Sequence, residues 1–409
     1  MELNTVIGDY MECEKYNIEK LKYDIFLNVW QKIYDIYPLF KEKNINWLKI
    51  KKIYSEKVKD VNSFEELYNL LNDMILNLKD PHTKIFNYNF KNQYDIAPIL
   101  MTYLNNKIYI IHILDDNIKI QKGSEITHIN NINIDDFKKK IYSKYNFNSL
   151  NVKNMYVIRE ITNYFAHNKA EIQVTFSGKS YLYKIHPLNV EYIIKNNSAY
   201  NVKSCDSKII DKDILYIKLL SFYDKKIIPE FKELLLKHEN LNKIIIDVRD
   251  NNGGLIDVAT KLTSFLIDTN KVVLYKKYRT CESNYKKFSK DIPICIYSNK
   301  LINYKKLAIL CNENTSSSSE CIFIRSLINS HSKIRVFGNK TAGLIHEATI
   351  YTLFDGVKLQ ITSNKYLDED RQLMIEEGIE PNCKIINNIE NVLEGNDLVL
   401  NASIKFCNF

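Results

Sequence analysis

The stretch Cys311-Asn-Glu-Asn-Thr-Ser-Ser-Ser-Ser-Glu320 is where the chain first suggests chemistry. It lies after the apolar run Leu307-Ala-Ile-Leu-Cys311, which reads as a short buried strand. Beyond it, Glu320-Cys-Ile-Phe-Ile-Arg-Ser-Leu-Ile328 reads as a helix, expected over 320–330. A strand, a tight polar turn and a helix start bring a hydroxyl to the strand's C-terminal edge. The first helical N–H groups there carry partial positive charge and favour an anion. A serine nucleophile needs that setting, because its attack generates an oxyanion. The same letters also spell a capping box, Ser317-x-x-Glu320, in which serine and glutamate satisfy the free amides of any helix start. On this segment alone the cap is the better reading.

Two further segments decide the matter. Asp247-Val-Arg-Asp-Asn-Asn-Gly-Gly254 closes a second apolar run, Lys243–Val248, just before a helix expected over 255–267. Adjacent glycines let a backbone come close to another group and leave amides free. One reading is a glycine turn with Asp247 and Arg249 paired locally; the other makes the Gly253 and Gly254 amides part of an oxyanion hole. No phosphate-cradling glycine motif is present, and His346-Glu347 lacks the further histidine that zinc would need. The third segment, Lys79-Asp80-Pro81-His82-Thr83, ends an amphipathic helix running from Phe64 behind the cap Ser63. Pro81 stops that helix and leaves His82 at a turn. Alone, such a histidine is more often a turn or cap residue than a base.

The elements that must position these residues are read from pattern. Residues 16–79 are helical by apolar spacing, through Phe26, Trp30, Ile33, Tyr34, Tyr37 and Phe40. Residues 95–187 turn to strand character, with helix-like pieces at 135–143 and 152–165. From about 205, strands at 214–220, 243–248, 271–277, 306–311 and 333–337 alternate with helices. Such alternation favours a mostly parallel sheet with helices on its faces. Ala348–Leu353, Asp355-Gly356 and Val357–Thr362 form a hairpin. At 409 residues the chain has room for two or three domains, and its 45% apolar content contains no run of bilayer length. Its eight cysteines show no C-x-x-C pair and read as reduced thiols; with no basic and apolar leader at Met1–Tyr10, a cytoplasmic location is expected. The net charge of +8 is spread among tyrosine, asparagine and isoleucine, which argues against a nucleic-acid surface.

Three segments match one family in order. Leu78-x-Asp80-Pro-His82-Thr83, Asp247-Val-Arg249-x-Asn251-x-Gly-Gly254 and Thr315-Ser-Ser317-Ser-Ser-Glu320 are similar to motifs of the C-terminal processing (tail-specific) serine peptidases. Gly338-x-x-Thr341-x-Gly343, Asp355-Gly356 and Gly378-Ile-Glu-Pro381 look like its remaining landmarks, with Asn382 where aspartate is usual. Gly123-Ser-Glu-Ile-Thr-His-Ile-Asn-Asn-Ile-Asn-Ile134 resembles a PDZ segment, with Ser124 and Asn131 in place of Asp and Gly. The resemblance implies an α/β multidomain chain: a helical N-terminal domain carrying the base (1–90), a PDZ-like α+β module (91–190) and a crotonase/ClpP-like α/β serine peptidase core (191–409). Leu344 occupies the place of the lysine base, so the chain resembles the histidine-dependent branch of the nisin resistance protease and the tricorn core.

That resemblance implies Ser317 as nucleophile and His82 as general base. Ser318 and Gly253 or Gly254 would supply the oxyanion amides, and Glu320 would orient the serine turn or merely cap its helix. Asp80 and Glu376 are candidates for a third group on His82. Lys340 is a weak alternative base, and Ser316 and Ser318 are fallback nucleophiles. No metal or organic cofactor is implied. The expected activity is cleavage of extended peptides or protein C-terminal tails, with a peptide or unfolded protein as partner and neither nucleic acid nor a membrane span. A peptide-binding protein that has lost catalysis is the second reading, and a crotonase-like acyl-CoA enzyme the third. Homo-oligomerisation stays open.

Overall fold

The computed structural model describes residues 18–87, 95–189, 204–280, 287–353 and 356–409. They fall into two compact units that do not follow three consecutive stretches of chain: one gathers 1–92, 274–294 and 346–374, the other 93–273, 295–345 and 375–409. Asp355 lies outside the described residues, as does the start of the chain.

The first unit is built on the helices Ile18–Ile36, Trp47–Lys57 and Phe64–Leu76. Asn46 caps the second by accepting from the Lys49 amide, and Ser63 caps the third by accepting from Glu66 N–H at 3.1 Å. Trp30 and Trp47 stack at 6.4 Å, and each indole N–H donates to the other's backbone carbonyl. These rings share one core with Phe26, Ile33, Leu67 and Leu71. Strand Lys84–Asn87 leaves the last helix and pairs antiparallel with Val357–Thr362, whose other edge pairs with Ala348–Thr352. The expected hairpin is therefore present, and it closes the sheet that begins just after His82. Leu353, Val357, Leu359 and Ile361 add to the same helical core, which is why this late segment joins an early unit. The run expected as a parallel strand at 271–277 is Lys271–Tyr278, and it pairs antiparallel with Asn364–Leu367 instead. Only Val273 and Leu274 of it are buried, and Lys276 and Lys277 lie near its end, whereas strands buried on both faces of a parallel sheet read as unbroken apolar runs.

The second unit holds two larger sheets. One has six antiparallel strands, Ile99–Leu104, Lys107–Ile113, Glu125–Ile129, Ala170–Phe176 and Lys179–Ile185 in order, with the short Ile132–Asn133 pairing back on Glu125–Ile129, accompanied by helices Ile134–Lys144 and Leu150–His167. Asn130 and Asn131 take positive φ in the tight turn after Glu125–Ile129, a conformation asparagine tolerates where glycine is usual. The other sheet runs Cys205–Ile210, Ile214–Leu219, Lys243–Asp247, Lys306–Cys311, Ile334–Gly338, Cys383–Lys384. Its first pair is antiparallel and every later pair is parallel. The central strands, Ile244–Ile246 and Leu307–Leu310, are fully buried. The C-terminal helix Leu398–Asn408 packs on one face of this sheet through Val399 and Cys407.

Candidate active site

Two parallel neighbours, Lys243–Asp247 and Lys306–Cys311, end side by side and deliver both glycine and serine turns to one sheet edge. Asp247 is buried and accepts from Tyr216 at 2.7 Å, from the Arg249 amide at 2.9 Å and from Arg249 Nη2 at 2.6 Å. Burial pushes its carboxyl up, but Arg249 and Lys218 outweigh that and hold it below the ordinary carboxylate range. Arg249 also bridges to Asp397 at 2.7 Å, tying the strand end to the cap of the C-terminal helix. The aspartate and arginine of this segment are thus a local brace.

Asn251 clamps the two turns together. Its side chain donates to Leu219 O and accepts from Gly253 N–H at 2.8 Å. Its carbonyl accepts from Ser316 N–H at 3.0 Å and from Ser319 Oγ at 2.7 Å. Gly253 stands at φ +81°, and a Cβ there would lie 2.7 Å from Ser317 Cβ and 2.8 Å from Ser318 N. Only glycine allows so close an approach. Because Asn251 occupies the Gly253 amide, that amide is not the open donor of the pair. The backbone of 253–255 pairs with Phe222 through Phe222 N–H to Gly253 O and Leu255 N–H to Phe222 O. Gly254 N–H therefore points away from this pairing and has no partner among the described residues; the same holds for Ser318 N–H.

Ser317 has φ +56°, a left-handed conformation unusual for a residue with a side chain. It is half-buried, whereas Ser316, Ser318 and Ser319 are only 2%, 2% and 0% exposed. Among the four serines, exposure thus separates Ser317 from the fallback nucleophiles. The capping box is only half formed: the Ser317 amide donates to Glu320 Oε1 at 3.2 Å, but its hydroxyl caps no amide. The segment after this turn is not the expected long α-helix. Residues 319–324 wind as a π-helix and only 325–327 continue as α-helix. Short π segments are frequent at functional sites.

Glu320 is fully buried, with no cation paired to it among the described residues. Besides Ser317 N–H, it accepts from Gly343 N–H at 2.9 Å, Leu344 N–H at 2.7 Å and the Thr341 hydroxyl. Burial pushes this carboxyl up to about 7 against the pull of those four donors. Leu344 returns its carbonyl to Ser317 N–H at 2.7 Å, so the 341–344 segment is buckled to the serine turn from both sides. Gly343 abuts Gly378, and Thr341 exchanges hydrogen bonds with Ile379, which joins the downstream landmarks to the same place. Asn382 accepts from Val336 N–H, a structural task. Lys340 pairs with Glu380 at 3.5 Å. Glu376 is buried and accepts from Asn148 at 3.2 Å.

His82 stands in the first unit, half-buried. Its amide donates to Asp80 Oδ1 at 3.0 Å and its carbonyl accepts from Gln360 at 2.8 Å. Asp80 also accepts from the Thr83 hydroxyl, which in turn accepts from Thr362 N–H. The loop after Pro81 is therefore pinned to the hairpin. Burial lowers the His82 imidazole below its ordinary value; Asp80 opposes this, while Lys84 and Lys43 add to it. The ring is neutral at pH 7. Sequence reasoning missed a companion: His346 is buried beside Tyr366, and burial drives it down to about 3 despite Asp80. Its only signal in sequence is a lone histidine, which fits no motif.

A parallel α/β sheet thus carries, at two neighbouring strand ends, a serine turn locked to a double-glycine turn. Residues 213–385 match Peptidase family S41, and residues 22–76 match the Tricorn protease C1 domain. Residues 213–385 are thus similar to an S41 peptidase domain, and residues 22–76 to a tricorn-type helical segment. It is 30% identical over 187 residues to a probable CtpA-like serine protease of Staphylococcus haemolyticus (strain JCSC1435), covering 45% of this chain and 36% of that protein. A counterpart from Staphylococcus aureus (strain bovine RF122 / ET3-1) is 32% identical over 161 residues, or 38% of this chain and 30% of that one. The chain spans about a third of the length of the curated relatives it matches. In solved structures, mature CPAF has a TM-score of 0.75 at 12% identity, covering 95% of this chain and 98% of that one. The photosystem II D1 C-terminal processing protease has a TM-score of 0.55 at 14% identity, with 92% and 98% covered. Those likenesses are ones of fold. Among the described residues, no helix is long and apolar enough to cross a membrane.

Proposed function

We propose that the chain is a serine endopeptidase that cuts extended peptides or protein C-terminal tails, with Ser317 as nucleophile and His82 as general base. The observation that carries this reading is the serine turn: a half-buried serine in a left-handed conformation, packed against Gly253, with the Ser318 and Gly254 amides without partners among the described residues. In the mechanism, Ser317 Oγ attacks the scissile carbonyl carbon as neutral His82 takes its proton. The Gly254 and Ser318 amides hold the developing oxyanion; one such donor is typically worth about two to three powers of ten in rate. His82 then gives the proton to the leaving amine, and water, deprotonated by the same ring, releases the acyl group from Ser317. Glu320 positions the turn and takes no part in proton transfer.

The antiparallel module with its Asn130–Asn131 turn supports a PDZ-like role in holding a substrate segment. The free thiols Cys205, Cys295, Cys311, Cys321, Cys383 and Cys407 support a reducing compartment such as the cytoplasm. Incubating a diverse peptide library with wild type, Ser317→Ala, His82→Ala and Lys340→Ala, and reading products by mass spectrometry, tests the assignment. Ser317→Ala and His82→Ala lose cleavage by at least about 10³-fold, and Lys340→Ala retains it. Turnover retained in His82→Ala would remove His82 as the base.

A further inference from the structure

Helix Ile256–Ser264 begins with leucine at its cap, and that side chain makes no cap hydrogen bond. Leucine is among the residues least suited to this position, where serine, threonine, aspartate or asparagine would satisfy an open amide. Leu255 is also 38% exposed, so it does not belong to the core either. A residue that breaks a local rule without a structural gain marks a place where something else is being selected.

Its location says what. Leu255 directly succeeds Gly254, whose amide is open, and lies within about 7 Å of Gly253 along the chain. Gly253 in turn touches Ser317. Across the short backbone pairing, Phe222 accepts from Leu255 N–H at 3.0 Å and packs its ring on Phe323 of the π-helix at 5.7 Å. That anchors the next residue, Tyr223, which is 69% exposed. Two large, exposed apolar residues thus follow the bridged pair Phe222 and Gly254, each one position on along adjacent, hydrogen-bonded segments.

We infer that Leu255 and Tyr223 form a specificity contact that receives a large apolar side chain of the substrate residue next to the scissile bond. The inference rests on the peptidase reading of Ser317. An apolar side chain seated there removes leucine and tyrosine surface from water as the carbonyl reaches the oxyanion amides. A charged one would be desolvated without a partner.

The test compares cleavage of matched peptides carrying leucine or glycine beside the cut, for wild type, Leu255→Asn, Leu255→Met and Tyr223→Ser. Wild type favours the leucine peptide in kcat/KM. Leu255→Asn reduces that preference by about tenfold or more while raising the melting temperature by about 1–3 °C, because asparagine is a good helix cap. A purely structural role for Leu255 would not separate these two readouts. Leu255→Met keeps the preference, and Tyr223→Ser weakens it. An unchanged preference in both Leu255→Asn and Tyr223→Ser overturns the contact. Absence of cleavage, together with no fluorophosphonate label on wild-type Ser317, overturns the peptidase reading itself and this inference with it.

Discussion

Replacing Glu320 with glutamine probes the buried carboxylate that holds the serine turn. In the folded chain this group is pushed up to about 7 from its ordinary 4.5 because burial outweighs four hydrogen-bond donors. A carboxyl whose folded value lies above its unfolded one binds more protons when folded. Its stabilising contribution is complete below about pH 4.5 and is lost as pH rises through about 7. Between pH 5 and 8 the loss amounts to about 2.5 kcal/mol. His82 and His346 act in the opposite sense: both are lowered on folding, and they cost stability as pH falls below about 6.5. The informative quantity is therefore the difference between wild type and Glu320→Gln, since the histidines are common to both. The glutamine amide must turn one donor toward Gly343 N–H or Leu344 N–H, so at pH 5, where Glu320 is protonated, the variant is less stable by about 1–3 kcal/mol. Urea unfolding monitored by circular dichroism at pH 5, 6, 7 and 8 reads both terms. The expected result is a gap between the two proteins that narrows by about 2.5 kcal/mol from pH 5 to 8. Parallel curves would show that Glu320 takes up no proton in this range and would refute the reasoning.

The same geometry sets two further outcomes. Gly253→Ala places a methyl group 2.7 Å from Ser317 Cβ at a residue with φ +81°, so the serine turn must shift. A displacement of about 1 Å lowers kcat by about 10²-fold with the fold retained, measured by steady-state cleavage and thermal melting. Because burial lowers His82, the acid limb of kcat/KM against pH has its midpoint below 6.5, and activity persists at pH 6. A midpoint above pH 7 would mean that another group titrates.

Much of this is legible in the sequence because it depends on pattern. Buried runs such as Lys243–Val248 and Leu307–Cys311 announce parallel strands, and Ser63 announces a helix start. Those strands in turn place the glycine and serine turns at their ends. Other features depend on which amide bonds to which oxygen in a tight turn, and composition does not encode that choice. Gly253 and Gly254 look equivalent as letters, yet the backbone course and the Asn251 side chain occupy one amide and free the other. Glu320 reads as a helix cap because its spacing is that of one, while its partners Gly343 and Leu344 lie far along the chain. Lys271–Tyr278 joins a different sheet from the one its place in the alternation implies, because strand character does not name a neighbour. His346 gives no signal, since its burial near Asp80 arises only when the hairpin returns.

That return sets an order for synthesis. Lys84 pairs with Gln360, roughly 280 residues later. A ribosome adding about 5–20 residues per second leaves the nascent helical segment without its closing strands for about 15–55 s. Trp30, Leu67 and their neighbours then face solvent on the side that Leu359 and Ile361 will cover. A chain with this connectivity is exposed to chaperones and to aggregation through these helices until the strand Val357–Thr362 has been made.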